Sequence, residues 1–199
     1  MQTLSQSKLR RALLALSNKP GDRGELLKLL DRYTTDRRPP PHKEDRSLAL
    51  IAVSFVEQHL EDVLLLACIP EFDEPANRQA FFGGDKAGAI DGFAGKIALG
   101  YALGGYTKAF RRDLDTLRHI RNVFAHCKSY CDFTTPEIEA VCDFAMVEAL
   151  FNGLRKNSMA TARGRFVDAA FIAWLTFELM IKDNGGHRPE PYDDDRILP

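Results

Sequence analysis

Apolar positions recur three to four residues apart along almost the whole chain, and the strict alternation of a half-buried strand is nearly absent. This pattern predicts an all-α fold, an antiparallel bundle of about five main helices behind a helical N-terminal extension. In the extension, Lys8 to Leu16 and Glu25 to Tyr33 are expected to form two short helices, separated by Asn18, Pro20, Gly21 and Gly24. Pro39, Pro40 and Pro41 cannot continue a helix, so Asp36 to Asp45 is expected to be an extended linker. Domains are expected at 1–46 (extension), 47–185 (bundle) and 186–199 (an acidic tail without order).

Within the bundle, Ser47 is placed to cap a long helix reaching Ile69, with Leu48, Ile51, Ala52, Phe55, His59, Val63 and Leu66 along one stripe and Pro70 ending it. A glycine-containing connection follows, with one helical turn around Asn77 to Phe82. Phe93 to Leu103 is a helix stopped by Gly104 and Gly105. Thr107 caps the next, which runs to His126. Thr135 and Pro136 open another expected to reach Lys156, and the last spans Gly164 to Lys182.

The 199 residues are 45% apolar and 28% charged, so one hydrophobic core suffices, and collagen, knottin and wholesale disorder are excluded. Four cysteines are too few for a disulfide scaffold, and the Met1 end lacks a signal peptide's apolar run, which makes the cytoplasm the expected compartment. The most apolar window, Phe166 to Ile181, contains Asp168 and Glu178 and falls short of the ~20 nearly uncharged residues of a membrane span. It reads as a buried helix.

Charge divides the chain. Residues 1–46 carry a balance of plus five and the remainder minus six. A basic front end can touch nucleic acid or an acidic partner, or stand as a solvated extension.

The most informative helix is the one ending at His126. On a helical wheel Leu114, Leu117 and Phe124 lie within about 40° of Phe110, and Arg121 lies about 20° from it. A guanidinium in an apolar stripe requires an anionic or carbonyl partner, because burying a lone charge costs several kcal/mol. Arg118, Asn122 and His126 follow one another along the flank beside Asp115. Arg121 and His126 point about 140° apart, so they converge on one atom only if the helix ends near His126 or a second subunit supplies one of them. Two readings stand. In one, Arg121 pairs with an acid of the first long helix, for which Asp62 is the candidate, and His126 complements the helix dipole. In the other, His126 is a general acid or base while Arg121 and Asn122 hold an anion such as phosphate.

The segment Arg121, Asn122, Val123, Phe124, Ala125, His126 resembles the Arg-Asn-x-x-x-His signature of HEPN domains. A longer run from Gly92 to Ile138 resembles the mannitol operon repressor family, MtlR or MltR, through Lys96, Tyr101 to Gly104, Asp113 to Asp115, Ile120 to Asn122 and Phe124 to His126. That likeness spans roughly residues 47 to 155 and leaves out the basic front end. It implies an all-helical, dimer-forming protein named for repression of sugar-alcohol operons, and if the chain regulates transcription the expected routes are contact with a protein partner or use of the basic extension. The HEPN resemblance implies instead a metal-independent endoribonuclease, a toxin or defence effector. RNA would then supply its 2′-hydroxyl, His126 would take the proton, Arg121 would stabilise phosphoryl charge and Asn122 would orient the phosphate. Neither reading calls for a cofactor or a metal. No helix-turn-helix stands out in the acidic core, so any direct DNA contact is assigned to residues 1–46.

Other signals carry less. Cys127 and Cys131 beside His126 lack the second half of a zinc site. Gly83, Gly84, Gly88 and Gly92 follow no strand and lead to no Lys-Ser or Lys-Thr pair, so no phosphate loop is expected. Trp174, Phe166, Phe171 and Phe177 read as packing, and His59 as a satisfied core histidine.

Overall fold

A computed structural model describes residues 43–83, 88–126, 131–147, 161–184 and 189. The two short helices and most of the linker expected before residue 43, and the tail beyond Pro189, lie outside these. The described residues are helical and contain no strand.

Helix α1, Lys43–Leu66, begins ahead of the expected Ser47. Glu44 and Asp45 occupy its first turn, where carboxylates meet the positive end of the helix dipole. Asp45 is also buried, accepts a hydrogen bond from the Phe133 amide and lies 3.2 Å from Arg163 Nε, so it fixes the helix start against two later segments. A 3₁₀ turn, Pro70–Asp73, leads into α2, Pro75–Phe82, which is longer than the single turn expected because Pro75 starts it. Helix α3, Gly92–Ala102, ends as expected, with Gly104 at φ 77° and the Gly105 amide donating to the Gly100 carbonyl. Thr107 caps α4, Lys108–His126, its hydroxyl accepting from the Phe110 amide. Thr161 does the same for α6, Ala162–Asp183, through the Gly164 amide.

The helix expected from Thr135 to Lys156 is interrupted at 142–144 and is helical again over 145–147, while 148–156 lie outside the described residues. Its first piece, α5, is only Pro136–Val141, and Cys142 takes φ −77° and ψ 57°, outside the helical region. Two tertiary partners stabilise the break. Arg165 donates to the Cys142 carbonyl, and the Asp113 carboxylate of α4 accepts the Met146 amide at 2.8 Å, capping the turn that follows.

Helices α1, α4 and α6 run up, down and up. Arg46, near the start of α1, donates to the Phe124 carbonyl near the end of α4, and Asp45 meets Arg163 at the start of α6. At the opposite end Phe110 of α4 packs edge-on against Phe177 of α6. Helix α1 lies between α6, α4 and α3. Its buried face is Leu48, Ala49, Ala52, Val53, Val56, Leu60 and Leu64. The expected stripe is therefore rotated: Ile51 is exposed, and Phe55 and Val63 are half-buried at its edge. Helices on several sides of α1 leave little of its surface to water, so periodicity alone marks the wrong centre.

Tyr106 ties the turn between α3 and α4 to the core. Its hydroxyl donates to the Ile97 carbonyl at 2.7 Å, and its ring packs over Gly100, where any Cβ would come within 2.8 Å of that hydroxyl. No helix among the described residues is long and apolar enough to cross a membrane.

Candidate functional site

On α4 the inward arc holds Asp113, Leu114, Leu117, Ile120 and Phe124, all buried. Its centre lies on the Leu117 side of Phe110, about 40° from Arg121, so the Arg121 position falls inside the arc, between Leu117 and Leu114, while its long side chain reaches out toward the surface. The Arg121 side chain is 31% exposed, and the expectation of a cation sunk in the apolar stripe is corrected accordingly. Its carboxylate partner is on α1 but is not Asp62. Glu57 Oε2 lies 3.5 Å from Arg121 Nη2, and Arg121 Nη1 donates to the neighbouring Asn122 Oδ1 at 3.1 Å.

Glu57 is shared. Its other oxygen accepts from Lys96 Nζ at 3.1 Å, and Lys96 also meets Glu61 Oε2 at 2.7 Å. Glu61 in turn accepts from Arg78 Nε at 2.6 Å, and the Arg78 Nη2 group reaches Asp62 Oδ1 at 2.8 Å. Arg121, Glu57, Lys96, Glu61, Arg78 and Asp62 thus form one chain of alternating charge that joins α1, α2, α3 and α4. Three cations face three carboxylates, so the chain is balanced. Lys96 is nearly buried, with 8% of its side chain exposed. Burial alone would lower its proton affinity, but Glu57 and Glu61 together hold the ammonium above the ordinary lysine range. Arg78 follows the same pattern, with desolvation outweighed by Glu61 and Asp62.

The remaining predicted residues are placed as follows. Asp115 pairs with Arg118 one turn along α4, Oδ1 to Nε 3.3 Å. Arg118 Nη2 also lies 2.9 Å from His119 Nε2. Because a guanidinium can only donate, that ring nitrogen is the acceptor. His126 is exposed at the last turn of α4. Asp62 supports Arg78 in place of Arg121. Cys127 lies outside the described residues, and among those described no group of three His, Cys, Asp or Glu side chains is arranged to hold a metal. His59 is satisfied as expected: Trp174 Nε1 donates to its Nε2 at 2.9 Å, which leaves Nδ1 to donate to the Phe55 carbonyl at 3.0 Å.

Sequence reasoning missed Glu57, Glu61, Arg78 and Asp113. A signal for the first two was present. Lys96 is the lone charge in the otherwise apolar Gly92–Ala102 helix and demands carboxylates by the logic applied to Arg121. Glu57 and Glu61, one turn apart on α1, supply both from one face.

No family model, no curated protein and no solved structure matches this chain.

Proposed function

We propose that this chain is a regulatory helical module, a transcriptional regulator of the mannitol-repressor type, which dimerises along α4 and acts by contact with a protein partner. The observation that carries this reading is the balanced ion chain. Arg121 is matched by Glu57 within its own fold, and Asn122 accepts from Arg121 instead of standing ready for a ligand. A cation already neutralised by a carboxylate has less of its field available for a phosphoryl group. The Arg-Asn-x-x-x-His segment then works as a clamp between α1 and α4. The exposed apolar side chain of Val123, on the same helix, fits a seam between two copies.

A second reading, a HEPN-type RNase, is favoured by one feature. Arg121 keeps a third of its side chain open and His126 is exposed at the end of the same helix, so two α4 helices side by side would bring both residue types to one cleft. Incubating structured and single-stranded RNA with the wild-type chain and with His126→Ala, in the presence of a chelator, separates the two. The regulatory reading expects the same intact RNA from both proteins. Chelator-resistant cleavage by the wild type that disappears in His126→Ala would replace it with the nuclease.

A further inference from the structure

We propose that residues Pro70–Phe82, the 3₁₀ turn and α2, form a strap that swings off α1 and α3 as one piece while the bundle stays folded, uncovering Lys96 and its two carboxylates. This goes beyond the regulatory reading and does not depend on it.

The strap is braced internally. Asn77 Nδ2 donates to the Glu71 carbonyl at 2.8 Å, Phe72 packs edge-on against Phe81 at 5.0 Å, and Phe81 against Phe82 at 4.9 Å. These contacts make turn and helix one rigid unit. Its hold on the bundle is narrower: Phe82 is buried in the core, and Phe72 and Phe81 pack against the core from half-buried positions. Of α2 only Phe82 is buried, while Pro75, Ala76, Asn77, Gln79 and Ala80 are exposed. Arg78 supplies the ionic tie, 2.6 Å to Glu61 and 2.8 Å to Asp62; Arg78 and Asp62 are about one-third exposed and Glu61 is 16% exposed. The Arg78–Asp62 pair, at that exposure, exchanges for water at little cost.

Phe82 closes over the interior end. Lys96 Nζ lies 5.8 Å from its ring centre, so the ring is the lid that keeps the Glu57–Lys96–Glu61 group dry. Directly after Phe82, Gly83 sits at φ 86°, and a Cβ there would stand 2.8 Å from Asp91 Oδ1. This is a backbone geometry that glycine adopts freely, at the end of a segment that has to turn. Beyond it, the Ala89 and Ile90 amides donate to the Ala80 and Phe81 carbonyls and complete the closed state. Opening would rehydrate Lys96, Glu57 and Glu61 without disturbing the buried faces of α1, α4 and α6. The cost of uncovering Phe82 is therefore partly offset by solvation of three ions.

Amide hydrogen exchange on the full chain, with and without Arg78→Gln, tests this. The Ala89 and Ile90 amides, the strap amides whose acceptors on Ala80 and Phe81 leave with the swinging piece, should exchange faster than those of Leu117, Ile120 and Ala170, through an opening insensitive to low denaturant. Arg78→Gln should speed the strap amides roughly tenfold, and raise acetylation of Lys96 by an amine-reactive ester relative to exposed Lys108, with α4 and α6 protection unchanged. Strap amides that exchange only at the global unfolding rate of the wild-type chain would overturn the proposal. So would an Arg78→Gln chain in which all helices lose protection equally. The wild-type measurement decides the matter even if the variant fails to fold.

Discussion

Asp113 has no exposed side-chain surface; its Oδ2 accepts the Met146 amide, its Oδ1 lies 3.6 Å from Arg112 Nε, and the Ala145 amide also bonds the carboxylate. Desolvation raises its pKa above the ordinary 3.8 and outweighs the Met146 and Arg112 contributions, which act the other way. The native state therefore binds this proton more tightly than the unfolded chain does. The resulting stabilisation is fully present below the ordinary aspartate pKa and is lost as pH rises through the raised native value. Asp113→Asn keeps an oxygen to accept the Met146 amide and removes the charge. Its stability relative to wild type, from urea unfolding, should rise between about pH 3.5 and about pH 7. A relative stability that falls over this interval would contradict the assignment. Asp113 was visible in the sequence only as half of an Asp-Leu-Asp motif, because what it caps lies 33 residues further on. Arg121 was legible as a charge that needs a carboxylate on α1. Choosing Glu57 over Asp62 needed the rotation of α1 about its axis, which a chain packed on several sides does not reveal through periodicity.

Elements were read best where local chemistry sets their ends. Thr107, Thr161 and Gly104 act through bonds within a few residues, and the helices they bound lie close to where the pattern put them. The interruption at Cys142 in the helix expected from Thr135 to Lys156 is made by Arg165 and Asp113, neither of them local. The start of α1 moved for the same reason, through Asp45 and its distant partners. Gly100 is a further case in which position within a helix hides a tertiary demand. Replacing Gly100 with Ala places a methyl against the Tyr106 ring, whose hydroxyl burial has pushed well above the ordinary tyrosine pKa. The ring must shift and its bond to Ile97 must weaken, so a loss of about 1 to 3 kcal/mol is expected in thermal or urea unfolding. An alanine variant as stable as the wild type would show that the α3–α4 corner is looser than this packing implies.

At the scale of the whole molecule, the all-α class followed from periodicity alone, and the up-down-up order of α1, α4 and α6 from where their ends meet. The ion chain from Arg121 to Asp62 is the feature that makes one unit of four elements, and no single helix announces it. The proposed dimer along α4 is tested by Val123→Asp, measured by light scattering at a fixed concentration. Wild type should show the mass of two chains and the variant that of one, with unchanged helical circular dichroism. Single-chain mass for the wild type would exclude the seam. Whether Glu57 holds Arg121 as a structural clamp is measured by a double-mutant cycle of Glu57→Gln and Arg121→Gln. A coupling of about 1 to 2 kcal/mol in unfolding free energy is expected. Additive effects, with coupling below about 0.3 kcal/mol, would contradict it and leave the guanidinium free for a ligand.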